Sequence, residues 1–263
     1  MKLGCSTLLF GGYDLDTALE GISAAGYQGI ELCAIPNMGL HVEPDKPDSY
    51  YAEIKQKIAD RGLEIESLGG SGNILTEEGR RRFEALLRAA EKLGAPYVTT
   101  GPGGRSDDEE SFRAVVQTIN EITKTCRATG VKMSIKPHVR QAVYNSATAL
   151  RLRQEVDPEW VGINFDPTHV FRVGEPPHEA CRKLKDHIFT LRFRDTESTE
   201  LAIGSVEGQI PGKGVMPLDE IVAAMKEVPV EFVTVEMVGA KDFPLEEVQR
   251  VIQETMEYMK KVF

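Results

Sequence analysis

Four side chains in this sequence have the types and the placement to do chemistry together: Lys136 in SIKPH, Asp166 in NFDPTH, Arg192 in TLRFRDT and Glu236 in TVEM. Each falls at or near the end of a run that reads as a β-strand. If those strands lie side by side, two carboxylates and two cations converge on one spot. Such a group can polarise a carbonyl through its cations and shuttle a proton through its carboxylates. His138 follows Lys136 by two residues, on the same side of an extended chain, and His169 follows Asp166 by three. The proton-transfer candidates are therefore Glu236, Lys136, His138 and His169. A desolvated Lys136 would also serve as a Schiff-base nucleophile.

Short β-rich runs and amphipathic stretches alternate from end to end. Strands are expected over 2–8, 28–33, 63–68, 96–100, 131–136, 160–165, 187–193 and 231–236. Helices are expected near 14–25, 47–61, 76–93, 107–129, 146–155, 177–185, 217–227 and 244–262. Gly26, Gly62, Gly94 and Gly130 read as helix stops just ahead of the next strand, and the acids DDEE suit the positive end of the helix over 107–129. Eight βα units with right-handed crossovers imply a closed (β/α)8 barrel of the α/β class. The other arrangement, a doubly wound open sheet, lacks a GxGxxG after the first strand. In a barrel, functional side chains gather at the C-terminal strand ends, where all four residues fall.

The chain has 263 residues, 41% of them hydrophobic, and no Pro-rich or low-complexity linker, which predicts one domain spanning 1–263. A net charge of -10 argues against a nucleic-acid partner, since phosphate binding needs clustered Lys and Arg. No 18-residue apolar span and no signal-peptide pattern occurs, so no membrane partner is expected. Cys5, Cys33, Cys126 and Cys181 lack CxxC spacing and read as buried thiols in a reducing, cytoplasmic setting.

GYQGIEL at 26–32, NFDPTHV at 164–170, FRD at 193–195, IPGKGVMPLDEI at 210–221 and VTVE at 233–236 occur in an order that resembles the xylose-isomerase-like TIM barrel superfamily of sugar phosphate isomerases and epimerases, which includes inosose dehydratases and endonuclease IV relatives. The resemblance implies a divalent metal held by Glu, Asp, His and Glu after the fifth to eighth strands. Asp166 and Glu236 match two of those ligands. Lys136 and Arg192 replace the other two, and neither offers a lone pair in its charged form. The metal site is thus degenerate, and the two cations stand where a dication would have sat. A second arrangement keeps one divalent manganese, iron or zinc on His138, Asp166 and Glu236. The endonuclease branch, with its multi-metal cluster, is poorly matched by five histidines in the whole chain.

The resemblance also places His169 and Glu31 against substrate, beside Asp166. Lys213, in the glycine-rich PGKG segment, could meet a carboxylate or phosphate of the substrate, although a lone Lys in such a loop is more often solvated. Asp195, next to Arg194, could orient Arg192 or a loop, but reads first as half of a structural ion pair. His41, His178 and His187 have no partner spacing and read as structural. The GGSGN run at 69–73 could cradle a phosphate, but no Lys-Ser or Lys-Thr follows it. The expected activity is proton transfer on a hydroxylated carbonyl compound such as a sugar or keto-inositol, by an isomerase, epimerase or related lyase. Glu236, Lys136, His138 and Arg192 would act, without cofactor or with one divalent metal. The alternative is a catalytically silent barrel that binds a sugar-like or acidic ligand. Relatives that form dimers or tetramers leave room for a homo-oligomer.

Overall fold

A computed structural model describes residues 1–263. Eight parallel strands, β1 (Lys2–Ser6), β2 (Gly29–Ile35), β3 (Glu64–Gly69), β4 (Tyr97–Thr100), β5 (Lys132–Ile135), β6 (Val161–Phe165), β7 (Ile188–Phe193) and β8 (Phe232–Val235), pair in sequence order. β8 pairs with β1, so the sheet closes into a barrel. A two-residue strand, Gly39–Leu40, folds back antiparallel onto the end of β2.

The helices are α1 (Leu15–Ala25), α2 (Asp48–Asp60), α3 (Glu77–Leu93), α4 (Glu109–Thr129), α5 (Ser146–Glu155), α6 (Pro167–Arg172), α7 (Pro177–Leu184), α8 (Val206–Gln209), α9 (Leu218–Met225) and α10 (Leu245–Val262). Eight of them match the expected helices. The other two, α6 and α8, are a turn or so each and lie in the loops after β6 and β7, too short to show a helical period. The first strand ends at Ser6 rather than at residue 8, because the Ser6 hydroxyl accepts from the Leu8 amide and caps a 3-10 turn, Thr7–Phe10. Gly26, Gly94 and Gly130 are C-caps with positive φ, which lets each helix turn sharply into the next strand, while Gly62 follows the Arg61 cap of α2. Asp108 caps α4 by accepting from the Ser111 amide at 3.1 Å.

Apolar packing is concentrated between the barrel and its helices, with Phe83, Leu86, Ile119 and Ile122 on α3 and α4 fully or nearly fully buried. The barrel axis, by contrast, is polar. Ser134 and Thr190 join hydroxyls across it at 2.8 Å, and the Thr99 hydroxyl donates to Glu31 at 2.9 Å. Two β-bulges shape this interior. Between β2 and β3 the register runs Ile30 to Ile65 and then Glu31 to Ser67, leaving Glu66 as the extra residue. Between β6 and β7 it runs Ile163 to Ile188 and then Asn164 to Thr190, leaving Phe189 extra.

Candidate active site

At the heart of the barrel, Arg192 of β7 is 0% exposed and faces three carboxylates. Its Nη2 donates to Glu31 Oε1 at 2.5 Å and to Ser67 Oγ at 3.0 Å. Nη1 donates to both oxygens of Glu66 at 3.1 and 3.2 Å, and Nε donates to Glu236 Oε2 at 3.2 Å. The bulge in β3 makes this possible, since it aims Glu66 and Ser67 at the same guanidinium. Burial pulls the Arg192 pKa down, but Glu31, Glu66 and Glu236 together raise it well above the ordinary value, so the cation is permanent. Glu66 is raised, because its burial outweighs the attraction of Arg192. With every nitrogen of the fork engaged, Arg192 has no donor to offer a substrate carbonyl, contrary to the part the sequence suggested for it. It holds the carboxylates instead.

Above Arg192 sits Lys136, one residue past β5 and only 8% exposed. Its ammonium donates to Glu236 Oε1 at 2.5 Å and lies 3.6 Å from Asp166 Oδ2. Glu236, one residue past β8, is thereby shared between Lys136 and Arg192. Burial pushes its carboxyl up, and the two cations more than reverse this, leaving it below the ordinary carboxylate value. Asp166 caps α6: Oδ1 accepts from the Thr168 amide at 3.0 Å and hydroxyl at 2.7 Å, and Oδ2 accepts from Arg194 Nη2 at 2.9 Å. Burial opposes its ionisation, but Arg194, His169 and Lys136 hold it well below the usual range.

The two histidines differ in what they leave free. His138 Nδ1–H donates to the Val139 carbonyl at 3.0 Å, so Nε2 carries the lone pair. Burial lowers its pKa below 6.5, which keeps it neutral near pH 7. Its ring stands 4.0 Å from that of His169. His169 is enclosed: Arg172 Nη2 approaches Nδ1 at 3.1 Å, Arg194 Nη2 approaches Nε2 at 3.4 Å, and burial holds its pKa well below the ordinary value. His138 is the accessible base, whereas His169 is a wedge between two arginines.

Lys136, Asp166, Arg192, Glu236, Glu31, His138 and His169 are thus brought together. Lys213 is not: its ammonium pairs with Glu207 at 2.6 Å and with Glu254 of α10, away from the cluster. Asp195 forms no ion pair and instead orients a loop, the other reading its sequence context allowed. Its carboxylate accepts the amides of Thr196 at 2.8 Å, Gly212 and Gly214 at 3.1 Å and Met216 at 3.2 Å, so the PGKG loop already wraps an anion supplied by the chain itself. The GGSGN run has no anion-binding partner set among the contacts. His41 is structural, held by the Thr7 hydroxyl at 2.8 Å and facing the Tyr13 carbonyl at 3.0 Å.

Glu66, Ser67, Arg194 and Arg172 were not singled out from sequence. Arg194 was findable, since it stands two residues beyond Arg192 on the same side of a strand. Glu66 was not, because the bulge that turns it inward leaves no mark in EIESLG.

The donor set does not suit a metal ion. No three His, Cys, Asp or Glu side chains come close enough to hold one. Glu236 is bound by Lys136 and Arg192, and Asp166 by Thr168 and Arg194, so the set His138, Asp166 and Glu236 does not form a cage. Two fixed cations beside it would repel a third.

Comparison with known proteins fits this architecture to a family. The model for the xylose isomerase-like TIM barrel matches residues 19–262. The chain belongs to the xylose isomerase-like TIM barrel family. Inosose isomerase of Bacillus velezensis is 24% identical over 184 residues, 66% of this chain and 66% of that protein. Inosose dehydratase 2 of Bacillus cereus is 22% identical over 198 residues, 64% of this chain and 66% of that protein. This chain therefore spans slightly under two thirds of the length of these curated relatives. Among solved structures, the IolI protein with a bound zinc atom superposes with a TM-score of 0.80 at 22% identity, covering 100% of this chain and 99% of that one. Within the family fold, the mouth of this barrel is built around cations. No helix of the chain is long and apolar enough to cross a membrane.

Proposed function

We propose that this protein is an isomerase or epimerase, or a related lyase, that moves a proton on a hydroxylated carbonyl compound such as a sugar or keto-inositol. The observation that carries the reading is the Lys136–Glu236 pair, 2.5 Å apart, whose members are 8% and 9% exposed while Arg192 beneath them is 0% exposed. A substrate entering the mouth meets the rim pair and His138, and Arg192 anchors the pair from below. Relatives named for inosose isomerisation and dehydration support the substrate class. The four cysteines are all free and buried, which agrees with a reducing, cytoplasmic setting.

In this reading the Lys136 ammonium turns to the substrate carbonyl oxygen and stabilises the negative charge that develops there. Glu236, ionised beforehand, loses one of its two cations in that exchange. Its basicity therefore rises when a proton must be taken from the carbon next to the carbonyl. Return of that proton to the former carbonyl carbon isomerises the substrate, as neutral His138 takes the proton of the neighbouring hydroxyl and the Lys136 ammonium protonates the former carbonyl oxygen, the two being reset through solvent. Reprotonation of the original carbon by water on its opposite face epimerises it. Lys136 and Arg192 supply the positive charge that a dication supplies elsewhere in the family, so the reaction proceeds without metal.

Glu236→Gln tests this. Turnover should fall by about 10²- to 10⁴-fold, the usual worth of a general base, while the affinity for substrate changes little. A silent binding barrel is the second reading, favoured by the internal pairing of Lys136, Asp166, Arg192, Arg194 and Glu236. It predicts that ligand binds to both forms and is turned over by neither.

A further inference from the structure

The largest well-formed cavity lies at the opposite end of the barrel from the proposed site, about 510 Å³ in volume, among the N-terminal ends of β3, β4, β7 and β8. Its aromatic walls are Tyr97, Phe189 and Phe232. Two glycines make room for two of these rings: a Cβ on Gly162 would stand 2.1 Å from Phe189, and one on Gly29 would stand 2.3 Å from Phe232. The rings thus plug the barrel floor and present a π-surface outward. Glu64, Glu231 and Asp186 are the acidic residues at its rim, with Glu66 turned inward to Arg192, and no Lys, Arg or His belongs to the lining.

The chain already shows what these walls attract. The Lys2 ammonium lies 5.4 Å from the centre of the Phe232 ring while bridging Glu64 at 2.6 Å and Glu231 at 2.7 Å. Lys132 lies 5.3 Å from the centre of Phe189. Arg153 joins Lys132 on Phe189, its guanidinium carbon 5.8 Å from the ring centre, and Arg192 holds Glu66, which leaves Asp186 as the lining carboxylate without a cation and Tyr97, tilted against Phe189 with centroids 5.7 Å apart, as the ring that bears none. Tyr97 is half-buried, and no hydrogen bond fixes its hydroxyl.

We propose that this floor cavity binds a small organic ammonium ion, held by cation–π contact with Tyr97 and by the Asp186 carboxylate. The volume falls in the range of small-molecule sites.

The test is calorimetric titration of the intact protein with choline and with its neutral carbon isostere, 3,3-dimethylbutan-1-ol. Choline should saturate one site at least about tenfold more tightly than the isostere, and Tyr97→Ala should weaken it by about the same factor. Asp186→Asn, an exposed change with little bearing on folding, should weaken choline about two- to threefold at low salt. Glu236→Gln at the mouth should leave a saturable choline site. Equal affinity for the isostere, the absence of saturation, or loss of binding in Glu236→Gln with none in Asp186→Asn would overturn the proposal.

Discussion

Replacing Arg192 with Met tests the charge balance of the barrel directly. The guanidinium is fully buried and makes ion pairs with Glu31 at 2.5 Å, Glu66 at 3.1 Å and Glu236 at 3.2 Å. Met fills similar space but leaves Glu31 and Glu66 without a cation and Glu236 with Lys136 alone. Removing one member of a buried pair typically costs about 3–5 kcal/mol, and three orphaned partners place the expected loss at the upper end, about 5 kcal/mol. A domain is commonly stable by about 5–15 kcal/mol, so the loss is a large fraction of the whole. The pH dependence is the sharper signature. Without Arg192, burial acts unopposed on the orphaned carboxylates and raises their pKa values. Acids raised in the folded state destabilise it most above those values, and the penalty shrinks as pH falls and they take up protons. Urea unfolding of both proteins at about pH 8 and about pH 5 should show the difference between them narrowing at the lower pH. A loss under about 1 kcal/mol, or a difference equal at both pH values, would refute the caged-cation account.

Three other outcomes follow from the same geometry. The wild-type protein should lose stability on acidification: Asp166 and Glu236 are depressed in the folded state, so their contributions are complete above their unfolded values near 4 and vanish as pH falls through the folded ones, which acid titration followed by circular dichroism will show. His138 must be neutral to accept a proton, and burial holds its pKa below 6.5. Hence kcat/KM should rise with pH only through a limb below that value, and His138→Asn should abolish the limb. Asp195→Ala removes the acceptor of four backbone amides in the loop after β7. It should cost at least about 2 kcal/mol and open residues 196–216 to limited proteolysis, whereas Asp195→Asn should cost less.

The fold was legible because both periodicities were strong: long helices such as α3, α4 and α10 carry clear apolar faces, and glycine stops mark where several of them end. What escaped was short or irregular. α6 and α8 have too few residues for a period, and the run after Ser6 continues apolar while the backbone turns away from the strand. In the site, Lys136, Asp166 and Glu236 were legible because strand ends converge in any barrel. Their division of labour was not. The cage around Arg192 depends on a bulge that brings in Glu66, and the role of Asp195 depends on a loop that returns to it about 17 residues later. Both are long-range consequences of backbone geometry, which local residue patterns do not encode.

Deuterium exchange tests the central claim most directly: chelator-treated protein in D₂O, incubated with a panel of ketoses and keto-inositols and followed by proton NMR. Exchange of the hydrogen next to the carbonyl in at least one substrate, unchanged by added manganese or zinc and lost in Glu236→Gln, is the predicted result. Exchange that appears only when metal is restored, and that saturates with one metal per chain, would contradict a mouth whose positive charge comes from Lys136 and Arg192.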